Sequence, residues 1–444
     1  MSKKVFLKGT LILACTGLVS RIAGFFYRIF LSHAIGAEGL GLYQLILPLQ
    51  GLMAALSYTG IQSALSRLIA SRLALQEKKE AYFSLVTGIF AAVFFSAVTG
   101  FLLFRHADFF ASTILKAPGT SDLLRLTAAS IPLCAIHSCI DNYYYARKKA
   151  SVPAAVQLSE QTVRIGATYI LYLIFLSEGR PVTAMIAAGG SLAGEAAASL
   201  ISLLMVSFHF GNHPVKEKTS VKIFPLIKDL FTLSFPISLN RILLTLLGSI
   251  EAVLIPQMLI RCGMTSSEAL KIYGIFTGMA LPLLLFPSTI TTSAAVMLMP
   301  SVARMDALGD QKQIRYVTDQ TFFLCMFLGF LCGSGFFLFG PFLGTLLFHS
   351  KTAGTYIRYL SFICPFLYTN TMLASILQGL GRPGRCLIHS AAGILIRIFS
   401  VVFMIPAIGI RGYFYGIFLG ELLLSLLHVK ALKFPYRQAG DNRL

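Results

Sequence analysis

The first long apolar segment of the chain, residues 8–31, is long enough to cross a membrane yet contains Arg21 and Arg28. As a helix, its 24 residues would rise about 36 Å, more than a hydrocarbon core of about 30 Å. Seven residues make nearly two turns, so both arginines share one face, about 10 Å apart along the axis. An arginine at mid-bilayer costs about 2.5–3.5 kcal/mol and almost always faces a bundle interior or a water-filled cavity. Arg28 is close enough to the segment end to reach the interface, whereas Arg21 is not.

Long apolar segments recur along the whole chain, which is 56% hydrophobic and only 12% charged. This composition predicts an all-α integral membrane protein with about 12 transmembrane helices. The predicted spans are 8–31, 41–69, 82–104, 124–146, 153–176, 183–208, 230–260, 272–299, 317–340, 357–380, 387–407 and 412–429.

The distribution of Lys and Arg predicts the orientation of these spans. Both termini fall on one side, and that side carries more than twice as many Lys and Arg as the other. The positive-inside rule therefore predicts cytoplasmic N- and C-termini in a multi-pass protein of the plasma membrane. The net charge of +19 is then a topology signal, and we expect a monomer among membrane lipids with no nucleic-acid partner.

The cysteines and histidines form no recognisable metal or catalytic pattern. All eight cysteines lie in or beside apolar segments without CxxC spacing, and the eight histidines form no HxxxH-type set. The loops offer neither paired carboxylates nor a nucleophile with a base. We therefore expect no metal site and no enzyme, and no cofactor other than coupling to Na⁺, H⁺ or the membrane potential.

The two halves of the chain repeat each other. Four residues of the first half recur in order in the second: Lys8 as Lys228, Arg21 as Arg241, Arg147 as Arg382, and Arg164 as Arg397. Six spans per half is an even number, so both halves enter from the cytoplasm, which predicts a parallel repeat. We expect a six-helix bundle over 1–210, a cytoplasmic linker over 211–228 and a second six-helix bundle over 229–444.

Four of the intramembrane arginines share a depth, ten to fourteen residues beyond the cytoplasmic start of their spans. They are Arg21, Arg164, Arg241 and Arg397. Their spans are repeat-related, which predicts a ring of guanidinium groups near the midplane. Arginine binds phosphate oxygens bidentately and stays charged when desolvated, so an anionic ligand is expected. With Arg28 and Arg67 they make six predicted residues of a cationic cavity.

Structural pairing with acids is the alternative role for these arginines. Glu160 precedes Arg164 by one helical turn, and Glu195, Glu251 and Glu421 are further acids within spans. Four residues are candidates for polar lining of the cavity or for ion coupling: Glu160, Asn240, Glu251 and Asn370. An acid such as Glu251 could bind Na⁺ or a proton, or could simply pair with an arginine.

Several stretches closely resemble the stage V sporulation protein B family of polysaccharide and lipid-linked oligosaccharide transporters. They are KGTLILACTGLVSRIAGFFYRIFLSHAIGAEGLGLYQLILPL, ALSRLIA and YYYARKKASVPAAVQLSEQTVRI. That family belongs to the superfamily of lipid II flippases and of multidrug and toxic-compound extruders. The resemblance implies two six-helix bundles in a V around a central cavity. Members often carry two further C-terminal helices, absent from this chain, so no accessory groove built from them is expected.

The resemblance also implies a site. The flippase relatives hold a lipid diphosphate with cationic residues of their first, second and eighth helices. Arg21, Arg28 and Arg67 match the first two, whereas the eighth span has no internal charge. Arg164, Arg241 and Arg397 are left to complete the site.

These features predict a flippase that moves a polyprenyl-diphosphate-linked saccharide, such as the peptidoglycan precursor lipid II, to the outer leaflet by alternating access. An inside-negative potential favours outward movement of an anion by about 2.3 kcal/mol per charge per 100 mV. A cation-coupled multidrug extruder of the same fold is the alternative, but it would require a cavity of carboxylates and aromatic groups. Roles in cell wall biogenesis and sporulation follow from the resemblance alone.

Overall fold

The computed structural model describes residues 3–212 and 223–433, with side chains described over 15–212 and 224–432. Within these ranges the chain is helical and contains no strand. Residues 213–222 of the predicted linker lie outside the described part of the chain. The remainder of that linker is helical, because a long helix begins at Ile223.

The helices are numbered in chain order. They are α1 (Lys3–Ala34), α2 (Gly36–Ser57), α3 (Thr59–Ala74), α4 (Lys78–Arg105), α5 (Ala107–Phe109), α6 (Ser121–Ala146), α7 (Ser151–Ser177), α8 (Met185–Asn212), α9 (Ile223–Arg261), α10 (Ser266–Gly274), α11 (Leu281–Leu285), α12 (Ser288–Ala307), α13 (Gln311–Phe348), α14 (Lys351–Leu360), α15 (Cys364–Gly379), α16 (Pro383–Phe403), α17 (Ile405–Ile408) and α18 (Ile410–Lys433).

Ten helical segments of the described chain are long and apolar enough to cross a membrane. Each overlaps one of the predicted spans. The first and fifth predicted spans are α1 and α7, continuous helices of 32 and 27 residues that contain intramembrane arginines. The prediction of an all-α, multi-pass membrane protein is confirmed.

Four predicted spans are broken rather than continuous: the second, eighth, tenth and eleventh. The second consists of α2 and α3, which meet at Tyr58, although Pro48 lies inside an unbroken α2. The eighth consists of α10, a π-helical turn over Ile275–Ala280, then α11 and α12. Since irregular backbone at membrane depth is tolerated only where protein or a watery cavity covers it, these breaks mark positions buried from lipid.

Contacts divide the chain into two compact units. The N-terminal unit holds the described residues up to Gln257 together with Thr265–Gly278, and the C-terminal unit holds Met258–Met264 and the described residues from Met279 onward. Most of α9 and all of α10 thus group with the N-terminal helices. The six-plus-six division remains a prediction from the internal repeat.

The core of the N-terminal unit lies where α3, α4 and α6 meet. Leu65, Leu85 and Ile140 are at most 2% exposed there. Gly88 lies so close to Leu65 that a Cβ added at residue 88 would be 2.8 Å from the leucine Cδ1. This packing fixes the position of α6, which carries His137.

The core of the C-terminal unit is built around α15. Leu373 and Ile376 of this helix are at most 1% exposed and pack with Val302 of α12. The hydroxyl of Tyr368, which is fully buried, donates a hydrogen bond to the carbonyl oxygen of Leu284 at 2.7 Å. These contacts fix the helix that carries Asn370.

Candidate functional site

Five ionisable side chains form a continuous line inside the N-terminal unit, which we call the N-terminal network: Glu160, Arg164, Glu195, His137 and Asp141. Arg164 Nη2 contacts Glu160 Oε1 and lies 3.5 Å from Glu195 Oε1. Glu195 Oε2 is 2.9 Å from His137 Nε2, and His137 Nδ1 is 3.5 Å from Asp141 Oδ2. No side chain in the line is more than 22% exposed. These groups therefore interact in an environment where charge is poorly solvated.

Three helices bring the N-terminal network together. Glu160 and Arg164 are one turn apart on α7, and His137 and Asp141 are one turn apart on α6. Glu195 reaches both helices from α8. A Cβ added at residue 194 would lie 3.0 Å from both Arg164 Cβ and the Glu160 carbonyl oxygen, so the preceding glycine allows α8 to approach α7 closely.

Further polar groups border this network. The Tyr27 hydroxyl of α1 lies 3.0 Å from Thr168 Oγ1 of α7. Tyr43 of α2 interacts with both Arg164 and Arg28. Helix α1 therefore packs against α7, and Tyr43 of α2 lies within electrostatic range of the network arginine.

Cys134 adds a set of metal-type ligands to the N-terminal network. Its sulfur and one ligand atom each of His137 and Glu195 all lie within 4.8 Å of one another. The sequence search missed this set because it sought CxxC and HxxxH patterns. The available signal was a cysteine and a histidine three residues apart on one helix face, which is weak without knowledge of the helix opposite.

A second line of polar groups lies inside the C-terminal unit, which we call the C-terminal network: Arg397, Glu421, Asn370 and Ser425. Arg397 Nη1 donates to Glu421 Oε1 at 3.4 Å, and Asn370 Nδ2 donates to Glu421 Oε2 at 2.8 Å. Ser425 Oγ donates to Asn370 Oδ1 at 2.6 Å. The glutamate, asparagine and serine are at most 8% exposed. The positive charge of Arg397 and the negative charge of Glu421 thus balance each other, while Asn370 and Ser425 are neutral hydrogen-bonding partners.

The two networks extend the internal repeat. Both glutamates belong to the pattern Gly-Glu-x-x-x-Ser-Leu, which begins at Gly194 on α8 and at Gly420 on α18. His137 precedes Arg164 by the same number of residues that separates Asn370 from Arg397. Histidine in the first unit therefore corresponds to asparagine in the second, a relation that was present in the sequence but was not noticed there.

The other predicted cations lie in the N-terminal unit. Arg21 of α1, Arg67 of α3 and Arg241 of α9 are exposed, and Arg28 is half-buried beside Tyr43. A charged side chain at membrane depth that protein leaves exposed is expected to face water or headgroups rather than lipid tails. Of the six predicted arginines, then, only Arg164 and Arg397 are drawn into the two networks, as the pairing alternative expected.

The uncharged and acidic candidates also differ in exposure, and two of them belong to the networks. Asn240 is exposed on α9, whereas Glu251 of the same helix is 6% exposed and interacts with Tyr273 of α10. Glu160 and Asn370 belong to the N-terminal and C-terminal networks. Among these four candidates, Glu251 and Asn370 are therefore buried, whereas Asn240 is exposed.

Ion pairs and hydrogen bonds also tie the ends of the N-terminal unit together. Arg72, at the end of α3, lies 3.0–3.1 Å from carboxylate oxygens of Glu77, Glu80 and Asp229. At another end, Ser267 Oγ of α10 donates to Glu38 Oε2 of α2 at 2.6 Å. The first set of contacts joins α3 to α9, and the second joins α2 to α10.

The polysaccharide biosynthesis protein family matches this chain over residues 6–306. The chain belongs to that family. It is 30% identical over 440 residues to stage V sporulation protein B of Bacillus subtilis (strain 168), covering 96% of this chain and 83% of that protein. It is 22% identical over 457 residues to the lipid II flippase MurJ of the same organism, covering 96% and 82%. The resemblance predicted from the sequence is confirmed.

Solved structures show the fold of this family member. MurJ in an inward closed conformation aligns with a TM-score of 0.72 at 13% identity, covering 96% of this chain and 88% of that chain. A multidrug resistance MATE transporter of the MOP superfamily, in its inward-facing conformation, aligns with a TM-score of 0.69 at 16% identity, covering 98% and 99%. The chain therefore has the MOP superfamily transporter fold. The activities in these names are flipping and transport, in agreement with the expectation that the chain is not an enzyme.

Proposed function

We propose that this protein is a flippase that moves a polyprenyl-diphosphate-linked saccharide from the inner to the outer leaflet of the plasma membrane by alternating access. A peptidoglycan precursor such as lipid II is the substrate that we favour. The observation that carries the proposal is the exposure of Arg21, Arg67 and Arg241, which lie in predicted membrane spans and belong to one unit. Homology to MurJ and to stage V sporulation protein B supports it.

The exposed arginines suit a diphosphate. Each guanidinium can donate two parallel hydrogen bonds to phosphate oxygens, and hydrogen bonds to charged groups contribute about 1.5–3 kcal/mol each. Arg21 and Arg28 stand two turns apart on α1, so both can address a headgroup that extends along that helix. The prenyl chain stays in lipid, where its transfer costs nothing.

Arg164 and Arg397 have a different role in this proposal. Each already contacts a buried glutamate at 3.5 Å or less. Moving either guanidinium to a substrate would leave that carboxylate buried and uncompensated, which costs about 3–5 kcal/mol. We therefore assign substrate binding to Arg21, Arg28, Arg67 and Arg241, and assign Arg164 and Arg397 to structural pairs.

The contrast between exposed arginines and buried glutamates argues against the multidrug extruder alternative. An extruder of organic cations requires carboxylates and aromatic faces that a substrate can reach. Here Glu195, Glu251 and Glu421 are at most 8% exposed. Since the exposed charged groups among these candidates are basic, an anionic substrate is favoured. The distribution of Lys and Arg between the two sides supports cytoplasmic termini, and a monomer is part of the same proposal.

Binding of an undecaprenyl-diphosphate-linked saccharide to the purified protein, followed by native mass spectrometry, tests the proposal. The test variant combines Arg21→Ala with Arg241→Ala. The control is Arg315→Ala, which removes an arginine with an 87% exposed side chain on α13. Selective loss of lipid from the double variant supports the proposal. If the wild type ignores the lipid, or the double variant binds it as well as the control does, the flippase assignment is wrong.

A further inference from the structure

Cys134, His137 and Glu195, which we call the trio, hold three different metal ligands in one small volume. One ligand atom from each lies within 4.8 Å of the other two. A tetrahedral zinc ion, with bonds of about 2.0–2.3 Å, keeps its ligand atoms about 3.3–3.6 Å apart. Small rotations of the side chains bring the three atoms to that spacing. The three side chains are at most 13% exposed, so the ligands are largely shielded from competing water.

Two helices present the trio from opposite sides. Cys134 and His137 are three residues apart and share a face of α6, and Glu195 reaches them from α8. Close to the trio, Ser199 Oγ of α8 donates to the carbonyl oxygen of Leu133 on α6 at 2.6 Å. The backbone that carries the ligands is therefore held in place by a contact that does not involve them.

The groups around the trio leave its ligand atoms turned toward each other. Glu195 Oε1 lies 3.5 Å from Arg164 Nη2, which leaves Oε2 facing His137 Nε2 at 2.9 Å. His137 Nδ1 lies 3.5 Å from Asp141 Oδ2 and has no hydrogen-bond partner among the described residues. A histidine bound to metal through one nitrogen usually directs the N–H of the other to a carboxylate. An ion at Nε2 would put that N–H at Nδ1, where Asp141 offers the carboxylate.

A neutral imidazole alone does not suit both neighbours of His137. It has one N–H, so in either tautomer one ring nitrogen turns a lone pair toward a carboxylate oxygen. A metal ion between His137 Nε2 and Glu195 Oε2 removes the repulsion at that contact, because both atoms then donate electrons to the ion. The arrangement of the trio is therefore explained by a bound cation.

The charges of the N-terminal network favour a cation as well. Glu160, Glu195 and Asp141 supply three carboxylates against the single guanidinium of Arg164. With these groups in their ordinary ionised states and His137 neutral, the line has two negative charges in excess. One divalent cation offsets that excess.

The internal repeat shows that the fold does not require these ligand types. In the second half, Leu367 and Asn370 stand at the places of Cys134 and His137. The C-terminal network there has one charge of each sign, so it has no excess for a cation to offset. A thiol and an imidazole beside the shared glutamate are therefore particular to the first half, and helix packing alone does not account for them.

We propose that Cys134, His137 and Glu195 form a binding site for Zn²⁺, or a related divalent transition-metal ion, that ties α6 to α8 in the N-terminal unit. Thiolate and imidazole ligands favour such ions, whereas Mg²⁺ and Ca²⁺ take oxygen ligands. Binding releases the Cys134 proton to water, and a water molecule completes the tetrahedral ion. None of the four arginines assigned to substrate binding contributes a ligand, so the site is independent of the proposed flippase function. The sequence-based expectation of no metal site considered spacing within single segments, which does not detect ligands on two helices.

The experiment measures bound zinc in the full-length protein, purified without a histidine tag and stripped with a chelator. After addition of excess Zn²⁺ and desalting, elemental mass spectrometry should find one zinc ion per wild-type molecule. The test variant, Cys134→Leu with His137→Asn, copies the corresponding residues of the second half and should hold none. The controls, Cys139→Ser and His428→Asn, change a cysteine and a histidine that are at most 1% exposed and lie outside the trio, and both should retain the ion. Cys134→Ser serves as a second test variant if the double variant does not fold.

Binding of Co²⁺ in place of Zn²⁺ adds a readout for the sulfur ligand. The wild-type complex should show the charge-transfer absorption of a thiolate bound to cobalt, and Cys134→Ser should lose that absorption. This change is not expected from a cysteine that only packs in the core.

The outcomes separate this proposal from the flippase assignment. One zinc ion in the wild type and controls but none in the test variant supports the metal site, even if native mass spectrometry shows no lipid binding. A wild type that holds no zinc, or a test variant that holds as much as the controls, overturns the metal site and leaves the flippase standing. Bound Co²⁺ without thiolate absorption also overturns it, as does zinc that an equal concentration of Mg²⁺ displaces, because carboxylates alone would then hold the ion.

Discussion

Arg164 and Arg397 stand at matching places in the two halves, and each contacts a glutamate that follows a glycine on a neighbouring helix. Around this shared pair the surroundings differ. The N-terminal network adds a histidine and two further carboxylates, whereas the C-terminal network adds an asparagine and a serine. The groups added around the arginine–glutamate pair are thus ionisable in the first half and neutral in the second.

The largest expected effect tests whether the shared glutamate is equally important in both halves. Glu421→Gln should destabilise the C-terminal unit by about 3 kcal/mol, because the largely enclosed Arg397, whose side chain is 21% exposed, loses its carboxylate partner. Glu195→Gln should cost less, since Arg164 keeps its contact with Glu160. Unfolding midpoints of the two variants in the same detergent compare them directly. Equal losses would show that Glu160 does not compensate Arg164.

The next effect tests whether both halves depend on a glycine that lets two helices pack closely, α8 against α7 in the first half and α18 against α16 in the second. A Cβ added at residue 194 or at residue 420 would lie 3.0 Å from a backbone carbonyl oxygen of the neighbouring helix. Gly194→Ala and Gly420→Ala should therefore each cost about 1–3 kcal/mol through overpacking. Gly335→Ala, at a helical position with nothing within 4 Å, is the control and should be neutral or stabilising. A tolerant Gly194 would mean that α8 can shift without breaking the N-terminal network.

Much of the fold was predictable from the sequence because membrane spans depend on length and apolarity alone. The break at Tyr58 was not, because no proline lies there, and Pro48 left α2 straight enough to remain one helix. Proline is tolerated inside membrane helices where the surroundings compensate for the lost backbone hydrogen bond. Ser249 Oγ donates to the Pro48 carbonyl oxygen at 2.8 Å, which ties α9 to α2 beside this proline.

The candidate site was predictable where the contacts are local. Glu160 and Arg164 are one turn apart on one helix, so their pairing follows from spacing. Which arginine Glu195 contacts depends on which helix lies beside α8, and spacing does not determine that. His137 gave no pattern of its own. His137 is recognised as the counterpart of Asn370 only in the structure, where His137 contacts Glu195 and Asn370 contacts the corresponding Glu421.

The smallest expected difference is between two corresponding serines, of which Ser425 belongs to the C-terminal network and Ser199 does not belong to the N-terminal network. Ser425 Oγ donates to Asn370 Oδ1 at 2.6 Å, whereas its counterpart Ser199 donates to the Leu133 carbonyl oxygen at 2.6 Å. Ser425→Ala leaves a buried side-chain oxygen unsatisfied and should cost about 1–3 kcal/mol. Ser199→Ala removes an added bond from a backbone oxygen within α6 and should cost about 0.5–1.5 kcal/mol. Chemical denaturation in mixed micelles measures both changes. A larger loss at Ser199 would mean that the hydroxyl supports α6 beneath His137, and that both halves depend on this serine in the same way.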